Sequence, residues 1–315
     1  MFPDEPRAMT DNTVDWKSIT LSVLGGDERE QEIARLAAET GAAVRVYGIP
    51  WPDGGIAGVQ RCHDTAEALA GASYVLFSVA GFAADGSLFA PHAAAPIYPD
   101  SALLADLAPG AHLIVGLTNE MLRNAVSRLD VSVHEYGDDV ELTLQRAPAV
   151  VEGALAITIA NTAEALHHSD VAILGFGTIG KQLTQALMGL GARVHVVARN
   201  AIQRASARAL GADDYDFTQL DDLLPRMLVV FTTVPQQVLD RGRLERMDSR
   251  TLIVDLAAPP GGVMVAAAEE LGVQHIWARG LGNRAPITVG RSQWSGIRRR
   301  IEEIQRALPE RSDTG

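Results

Sequence analysis

A turn with three glycines, placed between an apolar run and an amphipathic segment, constrains this chain more than any other feature. Residues 171–174 (VAIL) lead into Gly175-Phe-Gly177-Thr-Ile-Gly180, and the segment KQLTQALMGLG follows. In such a turn the first glycine permits the tight bend, the second lets the backbone approach a pyrophosphate, and the third lets the helix lie close to the strand. The N–H groups of the helix N-terminus attract the phosphates. Residues 170–200 therefore predict a βαβ unit that binds a nicotinamide dinucleotide. The predicted cofactor-binding residues of this turn are Gly175, Gly177, Thr178, Ile179 and Gly180.

The end of the next strand indicates which dinucleotide is bound. Sites for NAD usually place an Asp or Glu there, which bonds the ribose hydroxyls. Here the strand ends in Val196-Val-Ala-Arg199-Asn200, and no acid occurs between Gly180 and Asp213. Because a guanidinium suits a 2′-phosphate, we predict that Arg199 and Asn200 bind NADP. NAD remains the alternative if Arg199 only stacks on the adenine.

Two later segments also end apolar strands, where ligands bind in doubly wound sheets. One is Phe231-Thr-Thr-Val-Pro235, and the other is residues 255–262 (DLAAPPGG). We predict that Thr232, Thr233 and Pro235 line the cofactor and that Asp255 serves both the cofactor and catalysis. As an alternative, Thr232, Thr233 and Asp255 are simple turn and cap residues.

An internal repeat organises the chain. Residues 21–27 (LSVLGGD), a helical segment and residues 41–47 (GAAVRVY) recur, at an offset of 150, as residues 171–177 (VAILGFG), a helical segment and residues 191–197 (GARVHVV). The fold class predicted from this repeat is α/β, with two doubly wound parallel-sheet (Rossmann-like) domains. We expect a substrate domain over residues 1–150 and an NAD(P)-binding domain with a C-terminal helix over residues 151–315.

Apolar runs that alternate with amphipathic segments indicate the individual elements. Strands are predicted near 20–25, 43–48, 73–79, 111–116, 131–134, 170–175, 193–198, 227–232, 251–255 and 273–277. Helices are predicted near 28–40, 101–107, 119–128, 178–190, 201–210 and 262–271, with a bridging helix at 147–166 and a C-terminal helix at 289–308. We expect the last helix to pack against the first domain or a second protein chain.

The first copy of the turn differs from the second at one decisive position. Asp27 replaces the middle glycine, and its carboxylate would repel a pyrophosphate, so we expect no second dinucleotide. Asp27 either caps the following helix or orients Arg29 towards an anionic substrate. Residues 78–86 and 116–119 also follow strands, and the three loops together predict a pocket for a small acid. The substrate-binding residues predicted here are Gly26, Asp27, Arg29 and Gly81.

Composition excludes several classes of partner. With 27 basic and 39 acidic residues the net charge is −12, which argues against nucleic acid and anionic membranes. The single cysteine, Cys62, argues against a disulfide framework or a zinc cluster, so we expect no metal. No apolar stretch reaches the ~20 residues of a membrane span. Residues 1–18 form a polar leader without the apolar core of a signal peptide, which predicts a cytoplasmic protein. We also expect a homo-oligomer.

Several segments together carry a family resemblance over residues 20–305. The chain resembles the A subunit of dipicolinate synthase, a sporulation enzyme. The segments that carry this resemblance are VLGGDERE (23–30), SVAGFAADG (78–86), GLTNE (116–120), VEGAL (151–155), ILGFGTIGK (173–181), TTVP (232–235), VDLAAPPGG (254–262) and ARGLGNRAPITVG (278–290).

The resemblance implies NADP-linked oxidation of a dihydrodipicolinate-type heterocycle to dipicolinate (pyridine-2,6-dicarboxylate). It also implies that the partner is the flavoprotein-like B subunit of dipicolinate synthase. Arg29 and Glu152 become substrate-binding candidates by resemblance, and Thr118, Asn119 and Asp255 become catalytic candidates. The chain departs from the family at two positions, because Pro259 and Ile287 stand where basic residues are expected, although Arg279, Arg284 and Arg291 lie nearby in sequence.

Three other functions stay open at this point. A D-2-hydroxyacid dehydrogenase needs a His–carboxylate pair, and none of the histidines of the second half has such a setting. Those histidines are His167, His168, His195 and His275. An alanine dehydrogenase usually carries a catalytic lysine and histidine in its first domain, whereas Lys17 is the only lysine of the first half. A non-catalytic NADPH-binding subunit is the third alternative.

Overall fold

The computed structural model describes residues 14–105 and 107–307. The strands are β1 (Thr20–Leu24), β2 (Ala43–Tyr47), β3 (Val59–Arg61), β4 (Tyr74–Phe77), β5 (Ala111–Val115), β6 (Val131–Glu135), β7 (Asp170–Leu174), β8 (Arg193–Val197), β9 (Asp213–Tyr215), β10 (Val229–Thr232), β11 (Leu252–Asp255) and β12 (Gln274–Trp277). The α-helices are α1 (Glu28–Glu39), α2 (Thr65–Leu69), α3 (Ser101–Leu104), α4 (Glu120–Val126), α5 (Val140–Asn161), α6 (Thr178–Gly189), α7 (Ala201–Ala209), α8 (Leu220–Leu223), α9 (Arg241–Leu244), α10 (Val265–Leu271) and α11 (Pro286–Ala307).

The strands form two parallel six-stranded sheets. The first has the order β3-β2-β1-β4-β5-β6, and the second has the order β9-β8-β7-β10-β11-β12. Both orders are the same when each sheet is numbered from its own first strand. Each is the strand order of a doubly wound sheet, so the predicted α/β class with two Rossmann-like sheets is confirmed.

The internal repeat of the sequence is visible in the element bounds. β1, α1 and β2 begin and end 150 residues before β7, α6 and β8. The turns between strand and helix also start alike: Gly25 N–H donates to the carbonyl oxygen of Tyr47 and Gly175 N–H to that of Val197, both at 2.9 Å. Both glycines have positive φ, 69° and 102°. This left-handed conformation is unfavourable for a residue with a side chain.

All ten predicted strands are present, within two residues of the predicted bounds. The prediction omitted the short edge strands β3 and β9, which read VQR and DDY. Their side chains are mostly polar and half-buried or exposed, so they pair through the backbone without an apolar signature. Helices α2, α8 and α9 were also omitted, because at four or five residues they are too short to show a helical repeat.

The chain divides into two units, and the division corrects one predicted boundary. Unit 1 contains the residues up to Leu142 together with those from Pro286 onward, and unit 2 contains Thr143–Ala285. The C-terminal helix α11 therefore groups with the first unit, as its predicted packing against the first domain implies, although the predicted range 151–315 placed it in the second. The predicted leader, as far as residue 13, and the tail from Leu308 lie outside the described residues.

The apolar face of α11 explains why it belongs to unit 1. Trp294, Ile297 and Ile301 are buried in one cluster with α1 and the strands β1 and β2. Gly290 brings the two helices close, because a β-carbon there would lie 2.8 Å from the carbonyl oxygen of Arg29. The helix thus covers one face of the first sheet. Among the described residues, none of the helices combines the length and the hydropathy that a membrane span requires.

We predict that Gly290→Ala lowers the free energy of unfolding by about 1–3 kcal/mol, because the added methyl group overpacks the contact between α1 and α11. Gly189→Ala is the matched control, since a β-carbon at this exposed helical glycine meets nothing within 4 Å. It should stabilise by up to about 1 kcal/mol. Urea unfolding followed by circular dichroism measures both. Equal stability of the two variants would contradict the close packing of α11 on α1.

Candidate functional site

The turn between β7 and α6 depends on two of its glycines for packing. A β-carbon on Gly175 would lie 2.4 Å from the hydroxyl oxygen of Thr233. A β-carbon on Gly180 would lie 2.3 Å from the carbonyl oxygen of Gly175. A side chain at Gly180 would push the helix away from the strand, whereas one at Gly175 would strike the loop after β10 and would be strained at the positive φ of the bend.

The middle glycine of this turn borders open space. A β-carbon on Gly177 would meet no atom of the described residues within 4 Å. Gly177 precedes the first turn of α6, which has no side-chain cap and no acidic residue. Thr178 and Ile179 are half-buried and continue the helix. The N–H groups of this end are therefore available to an anion, and the residues present fit the pyrophosphate of a dinucleotide.

The turn after β8 presents an unpaired arginine. Arg199 is exposed, and no hydrogen bond or ion pair to its side chain occurs within the described residues. Asn200 caps α7 by accepting a hydrogen bond from Ile202 N–H at 2.8 Å. Arg204, which the sequence reasoning missed, donates through Nη1 to the carbonyl oxygens of Ala198 and Arg199, both at 2.8 Å. The signal for Arg204 was its place one helical turn after the cap, from which an arginine can reach back over the turn.

The two threonines after Phe231 have different surroundings. Thr232 is fully buried, and its hydroxyl has no hydrogen-bond partner within the described part of the chain. Thr233 donates to the carbonyl oxygen of Leu174 from both N (2.9 Å) and Oγ1 (3.1 Å), and so covers the start of the glycine turn. Pro235 lies inside a tight turn that Gln236 N–H closes onto Val234 at 2.8 Å. All three positions are at the carboxyl end of β10, next to the glycine turn.

Asp255 ends β11, and its carboxylate organises the loop that follows. It is 1% exposed and accepts hydrogen bonds from Ala257 N–H (2.9 Å) and Gly262 N–H (2.7 Å), one on each oxygen. Burial raises the pKa of Asp255, against the opposing effect of these N–H groups. Both oxygens are thus engaged by the loop that contains Pro259. The structure gives Asp255 a loop-fixing role and does not show its carboxylate exposed to a ligand.

In unit 1, Asp27 combines the two roles that the sequence left as alternatives. It caps α1 by accepting from Arg29 N–H at 3.1 Å, and it holds the Arg29 guanidinium through Nε (2.8 Å) and Nη2 (2.7 Å). Burial alone would raise the pKa of Asp27, but the bonds and charge of Arg29 outweigh it and lower the pKa. The third guanidinium nitrogen, Nη1, has no hydrogen-bond partner among the described residues.

The same turn has no space for a second dinucleotide. Asp27 and Glu30 stand at the positions that correspond to Gly177 and Gly180. A β-carbon on Gly26 would lie 2.2 Å from the carboxyl carbon of Glu30. The carbonyl oxygen of Phe89 would lie 2.8 Å from a β-carbon on Gly25, so a later loop covers the turn. Side chains and backbone of unit 1 fill the volume that is open in unit 2.

Thr118 and Asn119 hold the third loop of unit 1 in place. The Thr118 amide and hydroxyl both donate to Glu135 Oε1, at 2.6 and 2.7 Å. Asn119 caps α4 by accepting from Leu122 N–H (2.8 Å) and donates to the carbonyl oxygen of Gly86 (3.1 Å). Each side chain is therefore engaged in a structural contact, and Asn119 ties the third loop to the second.

The second loop offers a turn and a charged concavity. Gly81 N–H donates to the carbonyl oxygen of Ser78 at 2.9 Å. A β-carbon on Gly81 would meet no atom of the described part of the chain within 4 Å. A concavity borders Asn119, and its charged lining is acidic apart from one arginine. Those lining residues are Asp85, Asp100, Glu120 and Arg128. The acidic lining disfavours the binding of a dianion in this concavity.

Glu152 belongs to unit 2, whereas the other substrate-binding candidates belong to unit 1. It is exposed and forms an ion pair with Arg284. The neighbouring Gly153 allows close packing, because a β-carbon there would lie 3.1 Å from Leu281. The structure therefore assigns Glu152 to a contact between α5 and the segment before α11.

Comparisons with known proteins agree with this division. Residues 20–137 match the N-terminal domain of the dipicolinate synthase A subunit. The resemblance to the family of dipicolinate synthase A subunits is confirmed. The chain is 27% identical over 290 residues to the dipicolinate synthase A subunit of Bacillus subtilis (strain 168), across 91% of this chain and 97% of that protein.

Solved structures of dipicolinate synthase A subunits have the same fold. The protein from Bacillus subtilis is 25% identical, with a TM-score of 0.82, over 92% of this chain and 98% of that one. The protein from Bacillus halodurans is 23% identical, with a TM-score of 0.83 and the same coverage. A transhydrogenase from Sinorhizobium meliloti shares the fold at 15% identity, with a TM-score of 0.68, over 91% of this chain and 94% of that one.

The second unit is related to dehydrogenases. Residues 147–268 match the NAD-binding domain of D-isomer specific 2-hydroxyacid dehydrogenases. This match supports a nicotinamide cofactor and a dehydrogenase-type role. The matched range contains the glycine turn, the Arg199 turn and Asp255.

We predict that Gly177→Ala and Gly180→Ala separate binding from stability. Gly177→Ala should lower the thermal midpoint much less than Gly180→Ala, because its methyl group enters open space and only the N-cap is weakened, and should weaken NADPH binding about tenfold or more. Gly180→Ala should lower the thermal midpoint because its methyl group meets the backbone of Gly175. NADPH fluorescence titration and thermal unfolding measure the two effects. Unchanged NADPH affinity of Gly177→Ala would contradict the binding of the pyrophosphate at this turn.

Proposed function

We propose that this chain is an NADP-dependent oxidoreductase that oxidises a dihydrodipicolinate-type heterocycle to dipicolinate, and that it serves as the A subunit of a dipicolinate synthase. The observation that carries the proposal is the contrast between the two equivalent turns. In unit 2 the turn at Gly177 is open to a pyrophosphate, and in unit 1 the turn is closed around the Asp27–Arg29 pair. One unit is thus suited to a dinucleotide and the other to a small acid. The similarity to the Bacillus subtilis protein supports the choice of acid.

The reaction removes one hydride and one proton from the partly reduced ring and leaves an aromatic pyridine ring. Bound NADP⁺ would supply the hydride acceptor. The protein's own residues then have to hold a substrate with two carboxylates. Arg29 is suited to one of them, because Asp27 fixes its plane and leaves Nη1 free. We propose that Gly26 and Gly81 shape the same surface.

Other residues have supporting roles in this proposal. We propose that Thr118 and Asn119 act on the substrate side by holding the third loop in place. Asp255 fixes the loop after β11. This loop follows the carboxyl end of a strand, where ligands bind in doubly wound sheets, so we propose that it borders the nicotinamide. Glu152 with Arg284 is proposed as a substrate-side ion pair of unit 2.

Arg199 supports NADP over NAD. Its guanidinium is exposed and unpaired in the described structure, whereas Arg204 next to it is engaged by two carbonyl groups. A 2′-phosphate would provide the missing partner for Arg199. We further propose that the partner is the B subunit of dipicolinate synthase, in the cytoplasm of a sporulating cell. The expected homo-oligomer stays a prediction.

A D-2-hydroxyacid dehydrogenase is the second candidate, because the NAD-binding domain matches that family. Its mechanism requires a histidine near the nicotinamide. His195 instead bonds Asp170 at 2.8 Å, and Asp170 is the first residue of β7. That pair lies towards the amino end of the sheet, opposite the glycine turn. His275 of β12 lies close enough to Asp255 for the two charges to interact, so it is the histidine of unit 2 to replace in a test of this activity.

The proposed reaction is tested by supplying freshly generated dihydrodipicolinate precursor and NADP, with and without a candidate B subunit. We expect the absorbance of pyridine-2,6-dicarboxylate and of NADPH to rise together. NADPH binding without turnover under every condition would instead favour the non-catalytic alternative. Turnover of a 2-hydroxyacid would favour the dehydrogenase.

Replacing Arg199 by alanine tests the preference for NADP. We expect the dissociation constant of NADPH to rise about 10- to 100-fold, since charge-assisted bonds to the 2′-phosphate are lost, while that of NADH stays the same. Arg208→Ala is the control, because this arginine of α7 is exposed and paired with Asp214. Fluorescence titration with both nucleotides gives the ratio. An unchanged NADPH affinity would exclude Arg199 as the 2′-phosphate ligand.

A further inference from the structure

Glu30 is a fully buried glutamate in the first turn of α1, and none of the predicted roles includes it. It stands 150 residues before Gly180, the glycine that lets α6 pack on β7. Where Gly180 has no side chain, Glu30 has a carboxyl group, and this group lies against Gly26. The absence of a β-carbon at Gly26 makes room for it, since such an atom would approach the carboxyl carbon to 2.2 Å.

The carboxyl group of Glu30 joins two loops. Oε2 accepts a hydrogen bond from Asp27 N–H at 2.8 Å, which completes the cap of α1. Oε1 accepts from Val79 N–H at 2.7 Å, in the loop that follows β4. The turn that contains Gly81 starts one residue before Val79. Glu30 therefore connects the segments that carry all four substrate-binding candidates of unit 1, namely Gly26, Asp27, Arg29 and Gly81.

We propose that Glu30 is a positioning residue for the substrate, which locks the turn after β1 to the loop after β4 and so keeps the free Nη1 of Arg29 in place. The part of this proposal that concerns substrate rests on the proposed function. The locking itself rests on the two hydrogen bonds and on the close approach to Gly26.

The charge of Glu30 gives this role a pH dependence. Burial raises the pKa of Glu30 to about 7, against the opposing effect of the N–H groups of Val79 and Asp27 and of the Arg29 charge. Asp27 and Arg29 are the charged groups around it on its own turn, and the loop after β4 contributes only a backbone N–H. Arg291 of α11 pairs with Glu32, further along the helix. As pH rises through 7, Glu30 gains a negative charge beside Arg29, and the affinity for an anion should fall.

Glu30→Gln tests the proposal, with the exposed Glu28→Gln of the same helical turn as control. The amide keeps the size of the side chain but places a donor against one of the two backbone N–H groups. We expect hydrogen exchange at Val79 to become about tenfold faster, and the dissociation constant of pyridine-2,6-dicarboxylate at pH 6 to rise about fivefold. In the wild-type protein this constant should also rise between pH 6 and pH 8, and in Glu30→Gln it should not. The affinity for NADPH should stay the same in both variants.

A second variant covers the case in which Glu30→Gln does not fold. Gly26→Ala places a methyl group where the Glu30 carboxyl lies, and we expect the same acceleration of exchange at Val79. If Glu30→Gln matches Glu28→Gln in exchange at Val79 and in dicarboxylate affinity, the role of Glu30 is overturned. If the wild-type protein itself binds no pyridine-2,6-dicarboxylate at either pH, the substrate assignment of the proposed function falls, and the positioning role falls with it.

Discussion

A glycine in the left-handed conformation at the end of the first strand sets the geometry of each sheet. Gly25 and Gly175 bend the chain from strand into helix while their N–H groups pair with the next strand. A residue with a side chain would be strained there, and in unit 2 it would also strike Thr233. The helix N-terminus can approach the strand ends only because this bend is tight. Both the open turn at Gly177 in unit 2 and the closed turn at Asp27 in unit 1 depend on this bend.

The same backbone turn has different surroundings in the two units because different groups satisfy the helix N-terminus. In unit 1 the N–H groups are taken by Asp27 and Glu30, which form a capping box and bring Arg29 with them. Among the described residues of unit 2, no side chain caps α6, so the N–H groups of its first turn have no side-chain partner. An orphan N–H group must find a partner, either within the protein or in a ligand. The middle residue of the turn, Asp27 or Gly177, therefore decides whether the helix N-terminus is capped by the protein or left open for a ligand.

Much of the fold was predictable from local signals, and part of the site was not. The alternation of apolar strands and helices, together with the offset of 150, placed every strand with an apolar signature. The contacts of Asp255 and Asn119 were not predictable, because a carboxylate or amide that caps a loop looks the same in sequence as one that binds a ligand. The contacts of Glu30 were not predictable for a related reason, since its partner Val79 lies 49 residues away in the sequence. Only the folded chain brings such groups within bonding distance.

The sequence by itself determined the two sheets, the glycine turn of the cofactor domain and the unusual Asp27, because these depend on short-range sterics and periodicity. Tertiary structure decided that α11 packs in unit 1. The residues that cover its apolar face at Trp294 and Ile297 belong to α1, β1 and β2, which are distant in sequence. It also decided that Asp27 both caps a helix and holds Arg29, and that Asp255 is buried under its own loop. The physical reason is the same in each case. Periodicity and turn sterics are properties of neighbouring residues, whereas burial and hydrogen-bond partners depend on what distant segments bring.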